Sequence, residues 1–533
     1  MTRSLPPDLS LELLHSLRAA AGPAKTIGLP DEVVVRFAGR DLRLVRAVEA
    51  AWRARQQMDA AWDSFFRLPE GELCRTLQAG ILNFYPAPGI NPYVPLAGEG
   101  PWIVTSHGAV LHDSGGYGML GLGHAPRPVA AALAVPHVMA NVMTPSFGQY
   151  RLTERLAHEI GHSRGGCPYG RFVFLNSGSE AVSFACRVAD IHAGMQVGPG
   201  GAHEGERVMR LALVDGFHGR TEGPARLSHS CRPAYARHLA SFHSADNVVF
   251  VPMNDEPALE RAFADARERR VFFEAAFVEP VMGEGVPGLA MSPAYYRLLR
   301  RLTGEMGSLL VVDSIQAALR AHGCLSIVDY PGFQSAPPPD LETYSKALNA
   351  GQFPLSVVAL REEVAEKYVT GLYGNTMTGN PRAMEVACAV LDAITGELRA
   401  NVRERGEELR ASLCELGDEF PGAVEQVVGT GLMVSVMLDP ARCAVLGEGG
   451  LEEYLRTHGI EMIHGGEAGL RFTPPFDVTS EEIQLIVSVV RDALAHALAA
   501  ADLQEPAALT LSAAVRPAAA GVRPGLPASP RAA

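Results

Sequence analysis

The sequence predicts an α/β protein, a large unit on a mostly parallel sheet followed by a smaller α+β unit. Two patterns carry this expectation. From about Trp102, short runs rich in β-branched and aromatic residues alternate with amphipathic stretches of helical length, as in strands joined by crossover helices. Beyond residue 395 the alternation stops, and a long charged stretch leads into a short strand–turn–helix unit.

Residues 1–85 read as a helical, loop-rich extension. Apolar residues at three- and four-residue spacing occur over 45–51 and 58–66, separated by charges, which favours helices there. Residues 86–395 form the large unit, its first part assignable to the smaller one. Strands are expected at 172–175, 209–214, 248–252, 276–281, 308–313 and 355–360, and helices at 179–193, 293–304 and 381–394. The small unit, 396–500, opens with a helix over 396–416. It continues with one strand near 426–438, a turn at His464-Gly465-Gly466 and a last helix over 480–499. After Glu505 come five Pro, three Arg, many Ala and no acidic residue. Such a composition buries too little apolar area to offset its ordering entropy, so 501–533 is expected to be a disordered tail.

Composition narrows the function class. Of 533 residues, 47% are hydrophobic and 20% charged, as in ordinary globular proteins. Lys plus Arg total 46 against 59 Asp plus Glu, a net charge of −13. That acidic balance argues against nucleic-acid or anionic-membrane partners. No run approaches the roughly 18 uninterrupted apolar residues of a membrane span, and the N-terminus lacks a signal-peptide pattern. Eight Cys without a CxxC pair read as buried thiols in a reducing cytoplasm.

Two motifs suggest other chemistry. Gly116-Tyr117-Gly118-Met119-Leu120-Gly121 is a literal GxGxxG, but no Asp or Glu lies between Asp113 and Glu154 to hold a ribose. A turn is therefore expected there rather than a dinucleotide site. His158-Glu159-Ile160-Gly161-His162 is a literal HExxH, which on one helix face would hold zinc. Gly161, Gly165 and Gly166 place the helix end at the motif instead, and no metal site is expected.

Three other segments combine into one chemistry. In Asn176-Ser177-Gly178-Ser179-Glu180-Ala181 a tight polar turn follows a strand and opens a helix, where free N–H groups favour a phosphate. Asp313 ends the apolar run over 308–313, at the strand end where α/β sheets keep their ligands. Lys346, 33 residues later, sits in a small-residue loop between a short strand and Gly351. A phosphate turn, a strand-end Asp and a loop Lys are the parts of a pyridoxal phosphate site. Lys forms the Schiff base, and Asp holds the pyridinium proton.

These motifs, in this order over roughly residues 100–497, resemble the class III pyridoxal-phosphate aminotransferases of the ornithine/acetylornithine type. The resemblance implies fold type I and pyridoxal 5′-phosphate as cofactor. It assigns Gly178 and Ser179 to the phosphate, beside Ser177 of the same turn. Phe217, His218 and Glu279 join the cofactor site through Gly216-Phe217-His218-Gly219-Arg220-Thr221 and Val278-Glu279-Pro280. Asp313 falls on the pyridinium partner, Gln316 on the residue facing the ring's phenolic oxygen, and Lys346 on the Schiff-base lysine. Thr376 resembles a phosphate ligand reached from a neighbouring subunit, so a homodimer with shared sites is implied. Arg220 and Arg471 would hold substrate carboxylates, and Glu284 would screen one of these arginines when an amine-tailed donor binds. The implied reaction moves an amino group between an amino acid, ω-amino donors included, and a keto acid such as 2-oxoglutarate.

Three features depart from the family pattern: Ser314 where Glu usually follows the Asp, Tyr373 where His is common, and a longer interval from Asp313 to Lys346. None removes a catalytic group. A lyase, mutase or decarboxylase on the same fold is the alternative enzyme, distinguished by turnover without a keto acid. A non-catalytic binding protein is the other alternative, against which an intact Lys346 and Asp313 weigh.

Overall fold

A computed structural model describes residues 7–243 and 247–504. The tail expectation for 501–533 falls almost wholly outside them. The chain opens with helices at Pro7–Ala20, Asp31–Ala38 and Leu42–Gln57. The expected second helix of the extension is instead a 3-10 turn, Ala60–Trp62, and one helical turn, Asp63–Phe66. The preceding helix stops at Met58, whose backbone is already extended.

Strands β1 (Pro95–Glu99), β2 (Trp102–Thr105) and β3 (Val110–Asp113) form an antiparallel meander. The central sheet uses β4 (Arg171–Leu175), β5 (Arg207–Leu213), β6 (Val248–Val251), β7 (Val271–Val278), β8 (Leu309–Asp313), β9 (Leu341–Tyr344) and β10 (Ser356–Leu360). Its order is β4-β10-β9-β8-β7-β5-β6, and only β10 runs against its neighbours. All eight residues of β7 are buried, as expected when both faces of a parallel sheet are covered. That strand begins five residues before the expected 276, because Glu274 inside it pairs with Arg210 of β5. It ends before Pro280, which cannot donate to a ladder.

The region expected as one strand near 426–438 is a hairpin of β11 (Val424–Gly429) and β12 (Val434–Leu438). Gly431 supplies the turn, with φ of +57° that L-residues avoid. Strands β13 (Ile460–Glu461), β14 (Ile463–Gly465) and β15 (Gly469–Phe472) follow. The short β13 leaves this group and pairs in parallel with β3, Ile460 opposite His112. An early and a late segment of the chain thereby meet in one sheet. The last helix, Ser480–Gln504, is long and apolar enough over Ser480–Ala500 to cross a membrane. Its Ile483, Ile486, Val490 and Leu494 are fully buried in the protein core, which accounts for that apolar face.

Candidate active site

The strand ends of the central sheet open onto a cavity of ≈ 370 Å³ lined by Ser177, Gly178, Ser179, Phe217, His218, Asp313, Gln316 and Lys346. Local chemistry sets each of these in place. Ser177 caps the helix Gly178–Val197 in a reciprocal capping box with Glu180, which turns the first amides of that helix toward the cavity. Gly219, at φ +119°, packs so close that a Cβ would lie 2.3 Å from Ser179 Oγ.

Asp313 Oδ2 meets His218 Nδ1 at 2.8 Å, while Oδ1 accepts from Thr343 Oγ1 at 3.0 Å and Ile315 N–H at 3.1 Å. Burial disfavours an imidazolium, but the hydrogen bond and charge of Asp313, with Glu279, outweigh it and raise the pKa of His218. Glu279 lies behind the cavity, accepting from the N–H groups of Phe217 and Gly283 at 2.8 and 3.0 Å. Burial pushes its carboxyl up to about 7.

Lys346 adopts φ of +47°, left-handed for a residue with a side chain, and such strain clusters at functional sites. Its Nζ donates to Gln316 Oε1 at 3.0 Å. Desolvation, then the positive charge of Arg471, pulls this amine down to about 8. Arg471 is buried on β15 and donates from Nη1 to Gly283 C=O at 2.6 Å and to Gln316 Oε1 at 3.3 Å. The same nitrogen lies 3.3 Å from Glu284 Oε1. Burial opposes ionisation of Glu284, yet Arg471, Lys346 and His464 hold its pKa below the usual value.

Two singled-out residues lie outside this group. Arg220 is exposed, its guanidinium 5.5 Å from the Phe217 ring centre and 6.0 Å from those of Phe84 and Tyr85. Thr376 is exposed too, and its backbone oxygen accepts from Asn141 Nδ2 at 3.1 Å.

The two misleading motifs have structural explanations. Asp113 Oδ1 accepts from the N–H groups of Gly115 and Gly116, folding the GxGxxG into a 3-10 turn. That turn also borders the site, since a Cβ on Gly118 would lie 3.8 Å from Lys346 Nζ. Composition gave no hint of this proximity. On its far side Tyr117, Tyr93, Arg456 and His464 help line a second cavity of ≈ 500 Å³. In the HExxH, the helix Phe147–Glu159 ends at Glu159. Arg399 grips that carboxylate at 2.6 Å and 3.0 Å, so Glu159 serves the fold.

The cavity suits the expected cofactor. Helix amides and serine hydroxyls on one part of its lining would suit a phosphate, and Asp313 and Lys346 line the same cavity. His218 Nε2 and Gln316 Nε2 are buried there without a protein partner, and such groups are normally satisfied.

Comparison with known proteins agrees. Residues 87–494 match the family described as Aminotransferase class-III. The acetylornithine aminotransferase of Mesorhizobium japonicum is 29% identical over 422 residues, 76% of this chain and 96% of that protein. That of Xanthomonas campestris pv. campestris is 31% identical over 394 residues, 72% of this chain and 89% of the relative. The crystal structure of N-acetylornithine aminotransferase from Stenotrophomonas maltophilia superposes with a TM-score of 0.61 at 25% identity, covering 80% of this chain and 100% of that one. The chain belongs to the class-III aminotransferases and is a pyridoxal-phosphate-dependent transaminase.

Proposed function

We propose that this transaminase takes amino groups from amino acids, ω-amino donors included, and passes them to a keto acid such as 2-oxoglutarate. The contact that carries this reading is Arg471 Nη1 to Glu284 Oε1 at 3.3 Å, beside Gln316 and Lys346. An arginine paired with a movable carboxylate serves two substrates. With Glu284 on it, its charge is screened and an amine-tailed donor is tolerated. With Glu284 withdrawn, it offers a fork to a carboxylate. Relatives named acetylornithine aminotransferase support a donor of that kind.

The bound cofactor supplies an electron sink that acidifies the substrate C–H. Lys346, at about 8, has its neutral amine accessible near physiological pH and moves the proton as base and acid. Asp313 would face the ring nitrogen, its orientation fixed by His218 and Thr343. Ser177, Gly178 and Ser179 would hold the phosphate, and Phe217 would stack on the ring. Glu279 orders the backbone around Phe217. Gln316, which bridges Lys346 and Arg471, would face the ring oxygen, and Arg220, exposed beside Phe217, would reach a second carboxylate from the surface.

Arg471→Lys keeps the charge and loses the fork. It is expected to lower kcat/KM for glutamate by about tenfold to a hundredfold, at about 1.4 kcal/mol per decade. Single-turnover measurement of each half-reaction, over a panel of ω-amino acids with 2-oxoglutarate, checks both donor class and arginine. Equal losses for a simple amine lacking a carboxylate would mean that Arg471 supports only the fold.

Thr376 as a phosphate ligand requires a second copy of the chain. Its neighbourhood suits one: Met143 is 86% and Phe147 84% exposed, apolar exposure that marks an interface. Dilution is therefore expected to release cofactor and dissociate subunits together. Sedimentation of holo and apo protein across concentration checks this, and a fully active monomer would refute it. Eight unpaired thiols support a reducing, cytoplasmic location.

A further inference from the structure

Glu342 is a fully buried carboxylate that the reaction as described does not use. It lies on β9, between Leu341 and the Thr343 that donates to Asp313. Alternation along the strand sends its side chain to the opposite face from Thr343. There Oε1 accepts from Ser314 Oγ at 2.5 Å and Ile327 N–H at 2.9 Å, and Oε2 from Ser326 Oγ at 2.5 Å and Tyr169 Oη at 2.7 Å. No lysine or arginine pairs with it among the described residues. Burying a carboxylate is expensive, and the four donors that converge on this one offset that cost. Burial raises the pKa of Glu342, while the four donors pull it down.

Those donors mark what the carboxylate holds. Ser314 follows Asp313 directly, and its carbonyl accepts from Ala318 N–H at 2.8 Å, opening the excursion that carries Gln316. Ser326 and Ile327 stand at that excursion's far end. Its Asp329 in turn accepts from Gly161 N–H at 2.7 Å and Ser163 N–H at 2.8 Å. Glu342 thus pins both ends of the loop that presents Gln316 to Lys346.

We propose that Glu342 is a positioning residue for amino transfer, acting through Ser314 to fix Asp313 and Gln316 against Lys346. The proposal rests on the reading of those three residues as the site. Its test uses the holoenzyme with Glu342→Gln, Ser314→Ala and the double variant. Each single variant is expected to lower kcat about tenfold with KM changed less than about twofold, as misplacement of reacting groups does. Each is also expected to displace the pH midpoint of the bound cofactor's absorbance by about half a unit. The double variant should be no worse than the worse single one, because both act through one link. A purely structural role would lower Tm and leave kcat and the spectral midpoint unchanged, and that result would overturn the proposal. Independent, multiplying losses would overturn it as well. Should Glu342→Gln fail to fold, Ser314→Ala, which removes one hydroxyl, decides alone by the same two readouts. Absence of a borohydride-trapped cofactor on wild-type Lys346 would instead defeat the site reading beneath.

Discussion

Replacing Lys346 with alanine is expected to reduce amino transfer by about 10⁴-fold or more, the upper range for losing a positioned acid–base group, with covalent attachment lost as well. The expectation follows from one amine that is strained, desolvated and held at about 8 beside Gln316. The variant should still bind pyridoxal phosphate, because Ser177, Gly178 and Ser179 are untouched. Borohydride reduction followed by peptide mass spectrometry should find the cofactor on Lys346 in the wild type and on no lysine in the variant. An adduct on another lysine, or a variant with more than a trace of activity, would contradict the assignment.

Asp313→Asn should cost about 10²–10³-fold in kcat, the range for removing one preorganised electrostatic partner. It also carries a pH signature that can be read without cofactor. Asp313 raises the pKa of buried His218 despite the desolvation that opposes it. A base whose folded pKa exceeds its unfolded value of about 6.5 adds stability that is complete below that value. The stability is lost as pH rises through the folded pKa. Removing Asp313 deletes this contribution, so the Tm gap between wild type and variant should be widest below about pH 6 and narrow as pH rises through the raised pKa of His218. A gap constant across that range would mean that the pair does not share a proton-linked charge.

What the sequence disclosed about the site follows the range of the interactions involved. The serine turn is legible because capping is local: Ser177 and Glu180 are three residues apart and complete each other. Asp313 and Lys346 stand out because each interrupts an apolar or small-residue stretch. His218 gave no sign of its partner, since 95 residues separate it from Asp313. Glu342 reads as an unremarkable strand residue until Tyr169, 173 residues earlier, folds over it. The HExxH was ambiguous for the same reason, as Arg399 lies 240 residues from Glu159. In the fold, the 424–438 hairpin was hidden because Val427 and Val428 before the Gly429-Thr430-Gly431 turn and Leu432, Met433 and Val434 after it read as one apolar run. The early start of β7 was hidden because Glu274 breaks an apolar run that Arg210 restores only in three dimensions.

The meeting of early and late segments governs the order of assembly. Backbone amides of Ile27 and Gly28 donate to Thr457, and Tyr93 donates to Glu461, 368 residues away. These contacts cannot form until almost the whole chain has been made. At about 5–20 residues per second, translation separates Gly28 from Thr457 by about 20–90 s. During that interval Leu29, buried in the finished protein and packed against Gly459, lacks that part of its cover. The segment joining the first two helices is therefore completed last, long after the helices on either side of it have been made. A chain ending before residue 457 would retain every strand of the central sheet and leave the amides of Ile27 and Gly28 without their acceptor.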